Sequence, residues 1–202
     1  MLKGIFDTDN PVMRVFLRLG NIWWLNILWL LTSLPIITIG ASTTALIYSS
    51  MKLIKNEGYI TGNFFGSFKE NFRQSTVIWV IFILAGFLLS VDLYYFGYRT
   101  EQGMGPAIGI SIAVLLVYLN SLLYVFAIQS RFYNTVTRTL YYSLVLPYRH
   151  LKETVLMLVT VISLVIANHY LNLAFNFMFL NLGIGLTAYL FSVFYIRIFE
   201  NY

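Results

Sequence analysis

The sequence predicts an all-α, polytopic membrane bundle of about six transmembrane helices with both termini in the cytosol, all within one domain (residues 1–202). Three observations carry that prediction. Hydrophobic residues make up 59% of the chain and charged residues only 10%, against about 25% charged in soluble domains. The apolar residues form long runs, and a bilayer core of about 30 Å requires roughly 20 helical residues. Finally, the basic residues segregate. With six spans, Lys3, Arg14, Arg18, Lys52, Lys55, Lys69, Arg73, Arg131, Arg138, Arg149, Lys152 and Arg197 fall on one side, and only Arg99 of the 13 on the other. This is the asymmetry that the positive-inside rule describes. A five-span reading strands Lys3, Arg14 and Arg18 outside or inverts the rest.

The run from Leu19 to Met51 is nearly uncharged and too long for one ordinary span. Pro35 lacks an N–H and clashes with a preceding helical turn, and Gly40 frees the backbone soon after. Either one bent helix crosses and a re-entrant piece follows, or two short helices form a hairpin. The charge count selects the hairpin, with spans at 21–34 and 36–54. Before it, Asn10 and Pro11 supply an N-cap and a first helical position. Residues 11–19 read as an interfacial amphipathic helix, with Arg14 and Arg18 four apart on one face and Gly20 as the bend into the first span. The N-terminal stretch has no short apolar core ending in a cleavage site, so the first apolar helix is expected to act as an uncleaved signal anchor.

After Lys52, Lys55 and Glu57, residues 56–75 form a cytoplasmic amphipathic segment. There Phe65, Phe68 and Phe72 make a helical stripe opposite Lys69, Glu70, Arg73 and Gln74. The third span is expected at 76–95, a turn-rich loop at 99–106, and the fourth span at 107–128. A second amphipathic segment at 129–152 leads to spans at 154–170 and 182–198, joined by an asparagine-punctuated connection. Trp23, Trp24, Tyr94, Tyr95, Tyr98 and Tyr202 fall where an aromatic belt would lie. Residues 68–75 and 147–154 echo each other weakly, and the shared needs of a chain approaching a span explain most of that likeness.

The residues that carry chemistry are few. Asp92 is the one ionisable residue well inside an expected span, where acids act as proton carriers or ion ligands; its place near the outer end favours an interfacial acid within reach of Arg99. His150 and His169 fall on opposite faces and cannot share a metal. Cysteine is absent, which removes thiolate and Cys-based metal chemistry. Neither a phosphate-binding GxxxxGK[ST] loop nor a GxSxG nucleophile elbow occurs. No catalytic, cofactor-binding or metal residue is therefore assigned, no cofactor is expected, and the net charge of +5 reads as cytoplasmic-side Lys and Arg rather than as nucleic-acid binding. Asn26, Asn120, Asn168, Asn172, Asn176 and Asn181 either line a path for a polar solute or bond between helices, the commoner use.

Two motifs carry a family resemblance. Residues 33–46 (SLPIITIGASTTAL) and 62–76 (GNFFGSFKENFRQST) resemble the YesL family of small bacterial membrane proteins, whose domain is of unknown function. The matching positions are Pro35, Thr38, Gly40, Ala41 and Ser42 in the first motif, and Phe68, Lys69, Asn71 and Phe72 in the second. The resemblance implies the cytoplasmic membrane of a Gram-positive bacterium and a connection with carbohydrate uptake. The expected function is thus a non-enzymatic accessory protein that binds ABC-type sugar permease subunits laterally. The small residues from Gly40 to Ala45 and the two amphipathic segments are the expected docking faces. The alternative is a stand-alone transporter or channel for a small polar solute. The bilayer is an expected partner in either case, and homo-oligomerisation is left open.

Overall fold

A computed structural model describes residues 11–99, 106–170, 176 and 178–202. Lys3, the Asn10 cap, residues 100–105 of the expected loop and Asn172 lie outside the described residues, as do the side chains of Tyr98 and Arg99. Apart from short turns and connections the described residues are helical, with no strand among them. The helices are α1 (Pro11–Thr32), α2 (Ile39–Ile54), α3 (Ile60–Arg99), α4 (Pro106–Arg131), α5 (Val136–Arg149), α6 (Leu151–Tyr170) and α7 (Ile184–Phe199). A short 3-10 turn (Ile36–Thr38) precedes α2, and a π-turn (Phe179–Gly183) precedes α7.

The first helix runs unbroken through Gly20; a lone glycine is tolerated inside a helix at modest cost. The chain reverses at residues 33–35. Thr38 Oγ1 lies within hydrogen-bond reach of Thr32 O (2.5 Å) and Pro35 O (2.6 Å) across the turn, and so engages a carbonyl at the end of α1. Below the turn the legs stay together. Trp29 Nε1 donates to Thr43 Oγ1 (3.1 Å), and near the open end Arg18 Nη2 donates to Asn56 Oδ1 (3.5 Å).

Small residues let α2 approach α3 closely. Gly40 is pressed against α3 so tightly that a Cβ there would stand 2.5 Å from Ser75 O and 2.7 Å from Trp79 Cβ. Ala41, Ser42, Thr44 and Ala45 are fully buried, and Thr44 and Ser75 share a hydroxyl–hydroxyl bond of 2.9 Å. The stretch read as a docking face is instead an internal seam of this chain.

The third helix contains 40 residues, about 60 Å at 1.5 Å per residue. Residues 60–75 are its first four turns, continuous with the apolar part, because no proline interrupts them. Trp79 Nε1 donates to Ile36 O (2.8 Å), which fixes the hairpin tip near the middle of α3. Past that level α3 continues beside α4. Tyr118 OH donates to Phe82 O (3.1 Å), and Ser111 donates to Asp92.

Among the described residues, five helical stretches are long and apolar enough to cross a membrane: Val12–Thr32, Ile60–Phe96, Ile108–Arg131, Leu151–Tyr170 and Phe179–Phe199. The fold is a multi-pass membrane helix bundle. Its second helix, with 16 residues, is about 24 Å long and is largely enclosed by its neighbours.

Two apolar clusters hold the bundle. One joins Leu25 and Leu28 of α1, Ala45 and Leu46 of α2, and Phe64 of α3. The larger centres on Ile78, Tyr124, Phe126, Met157, Tyr195 and Phe199. Between α1 and α7, the wholly buried Asn26 engages two backbone groups five residues apart. Its Nδ2 donates to Leu180 O (2.9 Å), and its Oδ1 accepts from Gly185 N (2.7 Å). A π-turn displaces the regular i→i+4 bonding, and the carboxamide satisfies a carbonyl and an N–H at that displacement. Gly185 must be bare for this, since a Cβ would come within 2.8 Å of Ile22 O.

The seam makes a graded prediction. Gly40→Leu forces α2 off α3 and should destabilise the protein by about 3 kcal/mol, the upper range for overpacking. Gly20→Ala, where nothing lies within 4 Å, should be neutral or stabilising by up to about 1 kcal/mol. Thermal unfolding of both variants in one detergent checks the contrast.

Candidate functional site

The polar side chains that the sequence left scattered converge at the charged end of the bundle, where α2, α3 and α4 meet. A cleft of about 180 Å³ opens there, lined among others by Tyr48, Lys52, Ser67, Asn71, Gln129 and Arg131. Each wall follows from helix periodicity. Ser67 and Asn71 lie one turn apart on the inner face of α3, and Asn71 Nδ2 donates to Ser67 O (3.0 Å). Gln129, only 5% exposed, closes the floor. Its Nε2 donates to Asn71 Oδ1 (3.0 Å) and its Oε1 accepts from Thr139 Oγ1 of α5 (3.3 Å), so one side chain links three helices.

The rim carries the charges. Tyr133 OH donates to Glu70 Oε1 (2.6 Å); that bond to the carboxylate pushes the phenol pKa upward. Lys52 and Glu57 form an ion pair of 2.5 Å, and the bond from Lys52 holds the Glu57 carboxyl below its usual range. Glu57 and Tyr133 are exposed and Lys52 is half-buried, so solvent screens these interactions. Arg131 lines this cleft and also a neighbouring one of about 190 Å³, which Lys55, Phe199 and Glu200 bound on the far side. The arrangement offers hydrogen bonds and a guanidinium to a small polar group. Among the described residues no three His, Asp or Glu side chains group as metal ligands would.

The residues singled out from sequence separate into distinct roles. Pro35 and Thr38 form the hairpin tip, while Gly40, Ala41 and Ser42 lie on the seam. Phe68 stacks on Phe64 at 6.4 Å and meets Phe72 edge-on at 5.4 Å, which covers the outer side of the α1–α3 cluster. Lys69 is exposed and does not line the cleft; Asn71 does. Asp92 is far from the cleft, half-buried against Ser111 in a shallow recess between α3 and α4. Gln129 and Arg131 were missed as site residues. They stand 58 and 60 positions from Asn71, and no short motif spans that distance.

This geometry defines a class, the multi-pass helical membrane proteins with a polar cleft at their charged end. Within it, residues 22–93 match the model of a family described as "Protein of unknown function, DUF624", consistent with the YesL-like resemblance. The match runs from α1 into the outer part of α3, so it covers the hairpin, the seam and Asn71. Comparison with curated proteins and comparison with solved structures each returned no match.

Removing the floor should loosen the whole site. Gln129→Leu leaves the Asn71 and Thr139 polar atoms without their partner, a loss of about 1–3 kcal/mol for buried groups. Gln129→Glu keeps the two acceptors but lacks the amide donor, and it should be intermediate if the acid is protonated in place. Thermal unfolding at neutral and mildly acidic pH orders the three proteins, with the Glu variant recovering toward wild type in acid.

Proposed function

We propose that the protein is a non-enzymatic accessory subunit associated with carbohydrate ABC-type uptake, binding permease subunits at the cytoplasmic face of a bacterial membrane. The observation that carries the docking part is the outer face of α5. Thr139, Ser143, Leu146 and Pro147 are buried on its inner side. Arg138, Tyr141, Leu144 and Tyr148 remain exposed, with Tyr141 at 61% and Tyr148 at 51%. Tyrosine and arginine dominate protein-interface hot spots, because each combines a large contact area with a polar tip. Of the two amphipathic segments expected to dock a partner, residues 60–75 bury Phe64, Ser67 and Ser75 and keep Phe65, Lys69 and Phe72 exposed, and α5 supplies the face richer in exposed tyrosine. The carbohydrate permeases come from the family resemblance alone.

The proposal includes the topology. The legs of the α1–α2 hairpin begin and end together, so this unit returns the chain to the side it left. With α3, α4, α6 and α7 crossing, both termini then face the cytosol. That result is the same whether the hairpin traverses the bilayer as two spans or enters it partway.

Affinity capture of the tagged protein from its native membrane tests the reading. Permease subunits should copurify with wild type, and Tyr141→Ser combined with Tyr148→Ser should lower their recovery about tenfold or more, at over 1 kcal/mol per hot-spot side chain. Recovery of the protein without permeases, together with unaltered sugar uptake on gene deletion, contradicts it.

A further inference from the structure

A second cavity, of about 380 Å³, lies between α6 and the body of the bundle. Leu46 and Ile47 of α2, Phe126 of α4, Ala188 and Phe191 of α7, and Leu164 of α6 form its walls. It is open on one side rather than enclosed, and the way α6 packs explains the opening. The first turns of α6 are tied down: Thr154 bonds Tyr124 OH (2.7 Å) and the carbonyl of Pro147 (3.0 Å), and Met157 is fully buried. Beyond Met157 no described residue of α6 is buried. The helix stands away from α2, α4 and α7, while Val159, Ile162 and Ile166 cover an apolar outer surface.

The polar atoms at the cavity wall make no demand on an occupant. Thr43 Oγ1 already accepts from Trp29 Nε1, Thr187 Oγ1 donates to Gly183 O (2.7 Å), and Tyr195 OH donates to Leu123 O (2.7 Å). Water needs several polar partners to remain in such a site, and an apolar cavity stays dry. An open groove this large with apolar walls loses the packing contacts of those walls unless hydrocarbon fills it. An apolar cavity of about 150 Å³ accepts one benzene ring, so by proportion 380 Å³ takes roughly fifteen carbons. The exposed amide of Asn168 stands at the edge, and the rest of the wall is apolar or has its polar atoms paired.

The geometry points to a binding site for one acyl chain of a bilayer phospholipid, inserted laterally behind α6. Lateral insertion needs no aqueous path, since the α6 surface already has the polarity of hydrocarbon. The site is separate from the polar cleft and from the α5 face, so it stands or falls independently of the proposed partner.

Protein reconstituted in vesicles of 1-palmitoyl-2-oleoyl phosphatidylglycerol, then released into a mild detergent, can be weighed by native mass spectrometry. Wild type should retain one phospholipid per chain. Ala188→Phe, and Leu164→Trp from the opposite wall, should each lower the lipid-bound fraction about tenfold, which corresponds to a loss of about 1.4 kcal/mol in binding. Circular dichroism identifies any variant that fails to fold, leaving the other to decide. In fully delipidated protein the Phe variant should melt at a higher temperature than wild type, because it fills the void. Wild type that carries no phospholipid would overturn the assignment, and folded variants that retain as much as wild type would mean surface-associated lipid only and overturn it equally.

Discussion

At position 40 the backbone of α2 lies against the Ser75 carbonyl and the Trp79 side chain of α3 with no room for a Cβ. Much of the remaining architecture depends on that approach. It holds α2 between α1 and α3, buries Ala41, Ser42, Thr44 and Ala45, and sets the hairpin tip at the level of Trp79. About 20 residues of α3, some 30 Å, therefore rise beyond the tip beside α4. Leu34, Ile36 and Ile37, all strongly exposed at the tip, are apolar, which suits contact with hydrocarbon better than with water. A membrane interior provides no hydrophobic drive between helices, so close backbone packing and interhelical hydrogen bonds must hold the seam.

The polar residues follow the same logic. Asn26 satisfies two backbone groups beside the π-turn, Gln129 joins α3, α4 and α5, and Tyr124 joins α4 to Thr154 of α6. These side chains, costly if left alone in lipid, are matched with partners on other helices, while Thr32, Ser42, Ser90, Thr160 and Thr187 bond carbonyls of their own helices. That use of asparagine and glutamine leaves the charged end as the place where polar groups face an open cleft. It also leaves α5 as an amphipathic helix whose tyrosines point away from the bundle.

Much of the fold was legible in the sequence because hydrophobic run length and positive-charge asymmetry are local or additive signals. The all-helical membrane class and the motifs at Pro35–Gly40 and Phe68–Phe72 were readable in this way. The length of α3 was not, because the boundary at residue 76 was drawn from a change of polarity. Helices stop at breakers, and residues 60–99 contain no proline. The meaning of Gly40 to Ala45 was half-read: small residues indicated close packing, but their partner within the chain, Ser75 and Trp79, appears only in three dimensions. Gln129 was unreadable for the same reason. The pairing of Asn26 with a π-turn more than 150 residues away has no sequence signature, and the cavity behind α6 depends on how far a helix leans.

The central claim is that the hairpin returns the chain to its starting side, locked there by the seam. The chain has no cysteine, so single-cysteine variants report position directly. Arg18→Cys, Asn56→Cys and Tyr202→Cys should all react with a membrane-impermeant maleimide in inside-out vesicles and remain protected in intact cells. Labelling of position 18 from the face opposite to position 56 would contradict the account.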